Sequence, residues 1–210
     1  MKRIITIVIG LILFSKVYSQ REVTKFMDIP VDGKKSEMIK QLKKKGFKHK
    51  RHSFDTSIDY MEGEFNGCNV DVYIVTNKKK VWRIAIEYNS LCTNTSIIPI
   101  YNRLCSQFEN NIKYKSASDS TQAIPKDEDI SYMMSIKNKR YNAIYYQLPN
   151  NITEGKTSIT IGEYLENLAK RVVWFTIKED WYGKEMHGEE YYRIQMYYDN
   201  LYNQSDGEDL

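Results

Sequence analysis

Hydrophobic and polar residues alternate with a period of two through three segments in the first half of the chain. The segments are Ile58 to Phe65, Cys68 to Thr76 and Val81 to Tyr88, and this alternation is typical of half-buried strands. Asn66-Gly67 joins the first two, and both residues tolerate positive φ, which favours a tight hairpin. The pattern therefore predicts a three-stranded meander. One face of its third strand is expected to carry Trp82, Ile84 and Ile86.

A helical spacing of apolar residues precedes this meander and recurs after it. The first helix is predicted from Ser36, a capping residue type, to about Lys45, and Gly46 ends it. Its apolar stripe consists of Met38, Ile39 and Leu42. The second helix is predicted over Ile97 to Asn111, with Pro99 in the first turn, where proline is tolerated.

The second half of the chain repeats this order with longer connections. Further strands are predicted over Ile130–Ile136, Tyr141–Leu148, Val172–Ile177 and Tyr191–Tyr198, and a short helix over Ile161–Ala169. The prediction is thus an α+β fold of two tandem helix-plus-β-meander units, about residues 28–88 and 94–200. Together they form one antiparallel sheet of six or seven strands with helices on one face. An insertion covers about residues 150–170, and residues 201–210 form an acidic tail.

The first residues of the chain resemble a secretory signal peptide. Lys2 and Arg3 precede an apolar run from Ile4 to Phe14, which is too short for a bilayer span of ~20 residues. Small residues then precede a predicted cleavage site between Ser19 and Gln20. We therefore expect residues 1–19 to be a signal peptide and 20–210 a single domain, periplasmic or secreted. No later apolar segment has membrane length, so the mature chain is not expected to span a membrane.

Cleavage changes the charge of the protein. The whole chain of 210 residues has 31 Lys and Arg against 27 Asp and Glu, a net charge of +4. The predicted signal peptide contains three of these bases and no acids, so the mature chain has 28 bases against 27 acids. A net charge of +1 argues against nucleic acid as a general partner, because such binding needs a clear excess of basic charge.

The near-neutral sum hides two strongly charged segments. Residues 34–51 contain nine Lys or Arg and one acid, whereas residues 178–210 contain nine acids and three bases. The basic segment, with Lys43, Lys44 and Lys45 at its centre, is a candidate surface for an anionic polymer or lipid. The alternative is the solvated face of a helix and the loop that follows it.

Aromatic residues are concentrated in the C-terminal third, and the candidate binding residues there are Trp174, Trp181, Tyr191, Tyr192, Tyr197 and Tyr198. In adjacent pairs on a strand one ring points to each face, so some rings should line the open face of the sheet. Tyr and Trp in such positions favour recognition of a protein or a glycan. The alternative is that they stabilise cross-strand pairs.

The sequence contains no GxSxG, no HExxH, no phosphate loop and no dinucleotide fingerprint. We therefore expect a non-enzymatic binding protein of the cell envelope, without cofactor or metal. Its partner is expected to be an envelope or extracellular protein or a glycan, and its oligomeric state stays open. The enzymatic alternative is an envelope-polymer hydrolase that uses acidic residues such as Glu62 and Glu64. The three histidines, His49, His52 and His187, lie in contexts that favour neither catalysis nor metal binding.

Three cysteines, Cys68, Cys92 and Cys105, leave room for at most one disulfide within the chain. Cys92 and Cys105 are the best-placed pair, since one precedes the second helix and the other lies on it. The alternative, which we prefer, is three small buried thiols.

Six short motifs are distinctive as a set: Asp28-Ile29-Pro30-Val31-Asp32-Gly33, Gly63-Glu64-Phe65-Asn66-Gly67, Val81-Trp82-Arg83-Ile84, Leu104 to Asn111, Tyr198-Asp199-Asn200 and Gly207-Glu208-Asp209-Leu210. Together they resemble a family of uncharacterised exported proteins of Gram-negative gut anaerobes. This resemblance covers most of the mature chain but implies no activity and no catalytic residues. The tandem layout is also similar to β-lactamase-inhibitor-like folds, which present a concave sheet to a partner protein. That similarity implies an architecture only.

Overall fold

A computed structural model describes residues 22–51, 59–150, 160–180 and 190–204. Within these ranges the helices are α1 (Lys35–Lys44), α2 (Asn94–Glu109), α3 (Ile130–Ser135) and α4 (Ile161–Ala169). The strands of the same ranges are β1 (Lys25–Phe26), β2 (Ile29–Pro30), β3 (Lys48–Arg51), β4 (Asp59–Phe65), β5 (Cys68–Asn77), β6 (Lys80–Tyr88), β7 (Tyr114–Ser116), β8 (Asn142–Gln147), β9 (Arg171–Asp180) and β10 (Tyr191–Asn200). The α+β class predicted from the pattern is confirmed.

Eight of these strands form one antiparallel sheet in the order β3-β4-β5-β6-β10-β9-β8-β7, and β1 and β2 form a separate ribbon. The predicted number of six or seven strands was therefore wrong. The two additional strands are β3 and β7, at the two edges of the sheet. Both consist largely of polar residues, so no alternation of apolar side chains marks them in the sequence. The meanders β3–β6 and β7–β10 meet where β6 pairs with β10.

The helices α1 and α2 cover one face of this sheet and form the core with it. Met38 and Leu42 of α1 and Tyr101 and Phe108 of α2 are buried in the same apolar cluster as the inward side chains of the strands. Phe108 stacks on Phe175 of β9 with the ring centroids 5.8 Å apart. The opposite face carries half-buried and exposed side chains, and we call it the open face.

Local signals account for the elements that the sequence predicted correctly. Asn66 and Gly67 adopt φ of 54° and 74°, as the tight hairpin between β4 and β5 requires. The helix α2 begins earlier than predicted, because Thr93 and Ser96 form a reciprocal capping box. Pro99 therefore lies in the second turn of α2, and not in the first.

Two local predictions were wrong because side-chain capping was misjudged. Residues 130–136 were predicted as a strand but form the helix α3, whose first turn is stabilised by the Asp129 carboxylate accepting from the backbone of Tyr132. Only Ile130 of this helix is buried. Ser36 does not cap α1, which begins one residue earlier, after Lys34, without a side-chain cap.

The third strand of the predicted meander contains an irregularity that changes the direction of one side chain. Val75 pairs with Arg83 but Thr76 pairs with Val81, so Trp82 is the extra residue of a β-bulge. Val81 is completely buried, and Trp82 is half-buried beside Arg83. The prediction that Trp82 shares a face with Ile84 and Ile86 was therefore wrong.

Some sequence predictions concern residues outside the described ranges. They are the signal peptide and its cleavage site, Trp181, His52, His187 and most of the acidic tail. Within the insertion, only the predicted helix Ile161–Ala169 is described, and it is confirmed. Among the described helices, none combines the length and apolar character needed to cross a bilayer.

Candidate binding surface on the open face

One row of side chains crosses the adjacent strands β6, β10, β9 and β8 on the open face. Tyr197 of β10 pairs with Ala85 of β6 on one side and with Trp174 of β9 on the other, and Trp174 pairs with Ile144 of β8. Because partners in an antiparallel sheet point to the same face, these four side chains lie side by side. Ile144, at the end of the row, is 38% exposed.

Aromatic rings and one guanidinium group stack on each other in this row. The rings of Trp174 and Tyr197 are nearly parallel, with centroids 4.1 Å apart. The guanidinium carbon of Arg83 lies 4.4 Å from the ring centroid of Trp82 and 4.8 Å from that of Tyr197. We call Trp82, Arg83, Trp174 and Tyr197 the aromatic cluster. Cation–π attraction contributes to its cohesion, and each of its rings has at least one face covered by a neighbour.

A single carboxylate fixes the positions of two cluster members. Asp199 accepts two hydrogen bonds from Arg83, at 2.6 Å from Nε and 2.7 Å from Nη2. Its Oδ2 also accepts from Trp174 Nε1 at 2.9 Å. The Asp199 side chain is only 4% exposed and that of Arg83 is 24% exposed. The bidentate geometry therefore holds the guanidinium plane in place between the rings.

Polar side chains border the aromatic cluster along β6 and β10. Tyr197 donates its hydroxyl to Gln195, and the Gln195 amide donates to Glu87 at 2.9 Å. Arg193 lies between Glu87 and Asp180 and forms ion pairs with both. Burial raises the pKa of the Tyr197 hydroxyl, so the ring is a neutral hydrogen-bonding group at physiological pH. The cluster thus has an apolar centre with a satisfied polar border.

The predicted aromatic residues divide between the two faces. Trp174 and Tyr197 meet in the aromatic cluster, and Tyr191 lies on the same face, half-buried, at the start of β10. Tyr192 and Tyr198 are 1% and 4% exposed and point into the helix-covered core, so their assignment to a surface was wrong. The sequence could have shown this burial, because Tyr192 and Tyr198 lie on the same face of β10 as the apolar Ile194 and Met196.

Sequence reasoning missed three members of the site: Trp82, Arg83 and Asp199. The bulge in β6 turns Trp82 towards the cluster, and a bulge leaves no clear mark in the hydrophobic pattern. Arg83 and Asp199 are neighbours through the pairing of β6 with β10. These strands are far apart in the sequence, so only the sheet order brings the two charges together.

The predicted basic and acidic candidates lie away from the aromatic cluster. Lys43, Lys44 and Lys45 are exposed at the end of α1, next to the exposed edge strand β3. Anion binding by this segment stays a prediction. Glu62 and Glu64 are exposed on the open face, and Glu62 pairs with Lys50 at 3.3 Å. They do not lie in an enclosed cleft, so the hydrolase hypothesis gains no support from them.

Among the described residues, the three cysteines are unpaired and no group of metal ligands is present. Cys68, Cys92 and Cys105 are all free thiols in the structure, so Cys92 and Cys105 are not joined in it. Burial raises the pKa of the Cys105 thiol to about 11, which keeps it protonated and unreactive at neutral pH. Within the described ranges, no three His, Cys, Asp or Glu side chains are grouped as metal ligands.

The chain matches no protein-family model, no curated protein and no solved structure.

Proposed function

We propose that this chain is an exported, non-enzymatic binding protein whose partner docks on the open face of the sheet. The observation that carries the proposal is the aromatic cluster, where two Trp, one Tyr and one Arg meet on the central strands. Trp, Tyr and Arg are the residues that contribute most to binding energy at protein interfaces. The predicted signal peptide accounts for the exported part of the proposal.

The stacking in the cluster favours a protein partner over a glycan. A sugar ring binds an aromatic residue through an uncovered ring face, but Trp174 and Tyr197 already cover one face of each other. Arg83 lies over the ring of Trp82 and over that of Tyr197. Each of these rings therefore has at least one face occupied within the protein, and rings packed with Arg in this way are typical of protein interfaces.

The cluster is also ordered before any partner arrives. Asp199 holds Arg83 through two hydrogen bonds and Trp174 through a third. Binding by flexible side chains costs about 0.5–1.5 kcal/mol for each side chain that becomes immobilised. Because these side chains are already held in the free protein, most of that cost does not arise on binding.

The tandem-unit interpretation is part of the same proposal. Each four-stranded meander follows a helix, α1 before β3–β6 and α2 before β7–β10. The two meanders meet at β6 and β10, as two tandem units joined at their last strands would. The aromatic cluster spans this junction, so a partner docked there contacts both halves of the sheet.

If the chain is exported, its signal peptide is removed and the mature chain has a defined first residue. When the full chain is produced in a Gram-negative host, the protein recovered from the periplasm or the medium should begin at Gln20. Intact-mass measurement and N-terminal sequencing check this directly. A chain that stays in the cytoplasm with Met1 to Ser19 attached contradicts the exported part of the proposal, whatever the open face binds.

Site-specific photocrosslinking in producing cells tests docking on the open face. A benzoylphenylalanine at position 144, beside Trp174, is expected to form a discrete adduct with a partner protein. The same probe at position 136, where Ile136 is 67% exposed beside α3, is the control and should form none. Trp174→Ala should weaken the adduct at position 144 more than about tenfold, since a hot-spot truncation costs at least about 2 kcal/mol.

A matched aromatic substitution completes that experiment. Tyr132→Ala removes an aromatic side chain that is 46% exposed on α3, away from the open face, and should leave the adduct unchanged. Adducts of equal strength at positions 144 and 136, or an adduct at 144 that survives Trp174→Ala, would count against docking at the cluster.

A further inference from the structure

A cavity of about 290 Å³ lies on the other side of the sheet, beneath α2 and the ribbon of β1 and β2. Its size is at the low end of small-molecule pockets, which span roughly 300–1,000 Å³. The cavity contains none of the aromatic-cluster residues. Any function it has is therefore physically separate from docking on the open face.

Apolar side chains form one wall of the cavity. They come from the end of β4, from α2 and from β10, and the main ones are Phe65, Leu104, Phe108 and Met196. Leu104 and Met196 also belong to the apolar core. An apolar body of a ligand placed against this wall leaves water, which favours binding in proportion to the area buried.

A hydrogen-bonded network forms the polar wall, and Gln147 is its centre. The side-chain oxygen of Gln147 accepts from the backbone nitrogen of Lys25 at 2.7 Å and from Arg171 Nη2 at 3.3 Å. Its amide nitrogen donates to the carbonyl of Lys25 at 3.0 Å and to the hydroxyl oxygen of Tyr114 at 3.2 Å. Gln147 is 7% exposed, and its donors and acceptors are all used within the protein.

Tyr114 and Arg171 contribute hydrogen-bond donors to this wall. Tyr114 accepts from Gln147 and is hydrogen-bonded to the buried Tyr198. Tyr114 also lines the cavity, so an acceptor of a ligand bound there can receive its hydroxyl proton. Behind it, Arg171 is 1% exposed and its Nε is a buried donor without a partner among the described residues. A ligand head at this wall therefore has to accept hydrogen bonds.

The charged residues around the cavity favour a ligand whose hydrogen-bond acceptor is anionic. Arg171 is neutralised by Glu22, whose Oε2 lies 3.0 Å from Nη1. Of the other charged lining residues, Lys25 and Lys113 are cationic and Asp28 is anionic. Neither lysine forms an ion pair with any described acid. The local excess of positive charge and the donors of Tyr114 and Arg171 together favour a carboxylate over a neutral amide or alcohol.

We propose that this cavity is a binding site for a small monocarboxylate with an apolar body. The carboxylate accepts from Tyr114 and lies near Lys113 and Lys25, and the apolar body contacts Phe65, Phe108 and Met196. Octanoate is a suitable probe, and octanamide is its neutral counterpart of nearly the same shape. Titration calorimetry of the purified full protein is expected to show octanoate binding at least about tenfold more tightly than octanamide, because a hydrogen bond to a charged acceptor is stronger than one to a neutral acceptor.

Substitutions at the polar wall test the assigned contacts. Tyr114→Phe removes the donating hydroxyl and should weaken octanoate binding about tenfold. Tyr146→Phe is the matched control, since it removes a hydroxyl from the neighbouring strand β8 on the open face and should change nothing. Lys113 is exposed, so Lys113→Gln should not prevent folding. It should weaken octanoate several-fold and reduce the salt dependence of binding.

Three outcomes would overturn the proposal. They are no octanoate binding at millimolar concentration, equal binding of octanoate and octanamide, and octanoate affinity unchanged by Lys113→Gln and by a folded Tyr114→Phe. Trp174→Ala should not alter octanoate binding, because it lies on the other face of the sheet. Octanoate binding and docking on the open face can therefore fail independently, and the two failures are distinguishable.

Discussion

Phe175→Ala is expected to destabilise the protein by about 3–5 kcal/mol, the usual cost of emptying an aromatic core position. Phe175 is completely buried in the middle of β9. Its ring lies 5.0 Å from that of Tyr101, 5.8 Å from that of Phe108 and 6.2 Å from that of Tyr145. The truncation removes this contact surface and leaves a cavity that the rigid sheet cannot close. For a domain of this size, the melting temperature should fall by roughly 10 °C.

Two further variants, one at Phe175 and one at the adjacent Trp174, show whether the loss of stability in Phe175→Ala arises from core packing. Phe175→Leu keeps much of the volume and should cost less than about 1.5 kcal/mol. Trp174→Ala removes the adjacent ring, which points to the half-buried open face, and should cost clearly less than Phe175→Ala. Urea denaturation followed by fluorescence and circular dichroism gives the three free energies of unfolding. If Trp174→Ala destabilises as much as Phe175→Ala, the two faces of β9 are assigned wrongly.

Asp199→Ala is expected to cost about 3 kcal/mol of stability, although it removes only one small side chain. The substitution leaves the Arg83 guanidinium and the Trp174 indole N–H without their acceptor in a largely desolvated place. Such a loss exceeds that for an exposed ion pair, which is about 0–1 kcal/mol. Asp199→Ala should also release the cluster and weaken the crosslink at position 144.

A double-mutant cycle separates the ion pair from other effects of Asp199. Arg83→Met keeps an apolar side chain on the rings and removes the charge. The loss of unfolding free energy in the double variant Arg83→Met, Asp199→Ala should therefore be smaller than the sum of the losses in the two single variants. Thermal and urea unfolding of the four proteins give the coupling energy. Additive losses would show that Asp199 does not act through Arg83.

An element was predicted correctly from the sequence where residues close together in the chain determine it. The hairpin between β4 and β5 was predicted because Asn66 and Gly67 adopt the positive φ values that the turn needs. The helix α3 was missed because the capping carboxylate of Asp129 outweighed an apolar pattern that also fits a strand. The edge strands β3 and β7 were missed because their pairing with β4 and β8 is set by those neighbours and not by their own residues.

The candidate site was predicted only in part for the same reason. The sequence indicated that rings of the C-terminal strands would lie on an open face, and Trp174 and Tyr197 do. It also included Tyr192 and Tyr198, which are buried, because it did not compare their phase with that of Ile194 and Met196. The cavity at Gln147 had no signal in the pattern, since its walls come from six separate strands and one helix.

By itself, the sequence determined the α+β class, the antiparallel strands and the two main helices, because hydrophobic period, turn residues and end-capping residues act between near neighbours. The tertiary structure decided where β6 and β10 meet, which way Trp82 points and how Asp199 comes to hold Arg83 and Trp174. Those features depend on strand order and on a bulge. Both are set by the packing of distant segments, which no local pattern along the chain encodes.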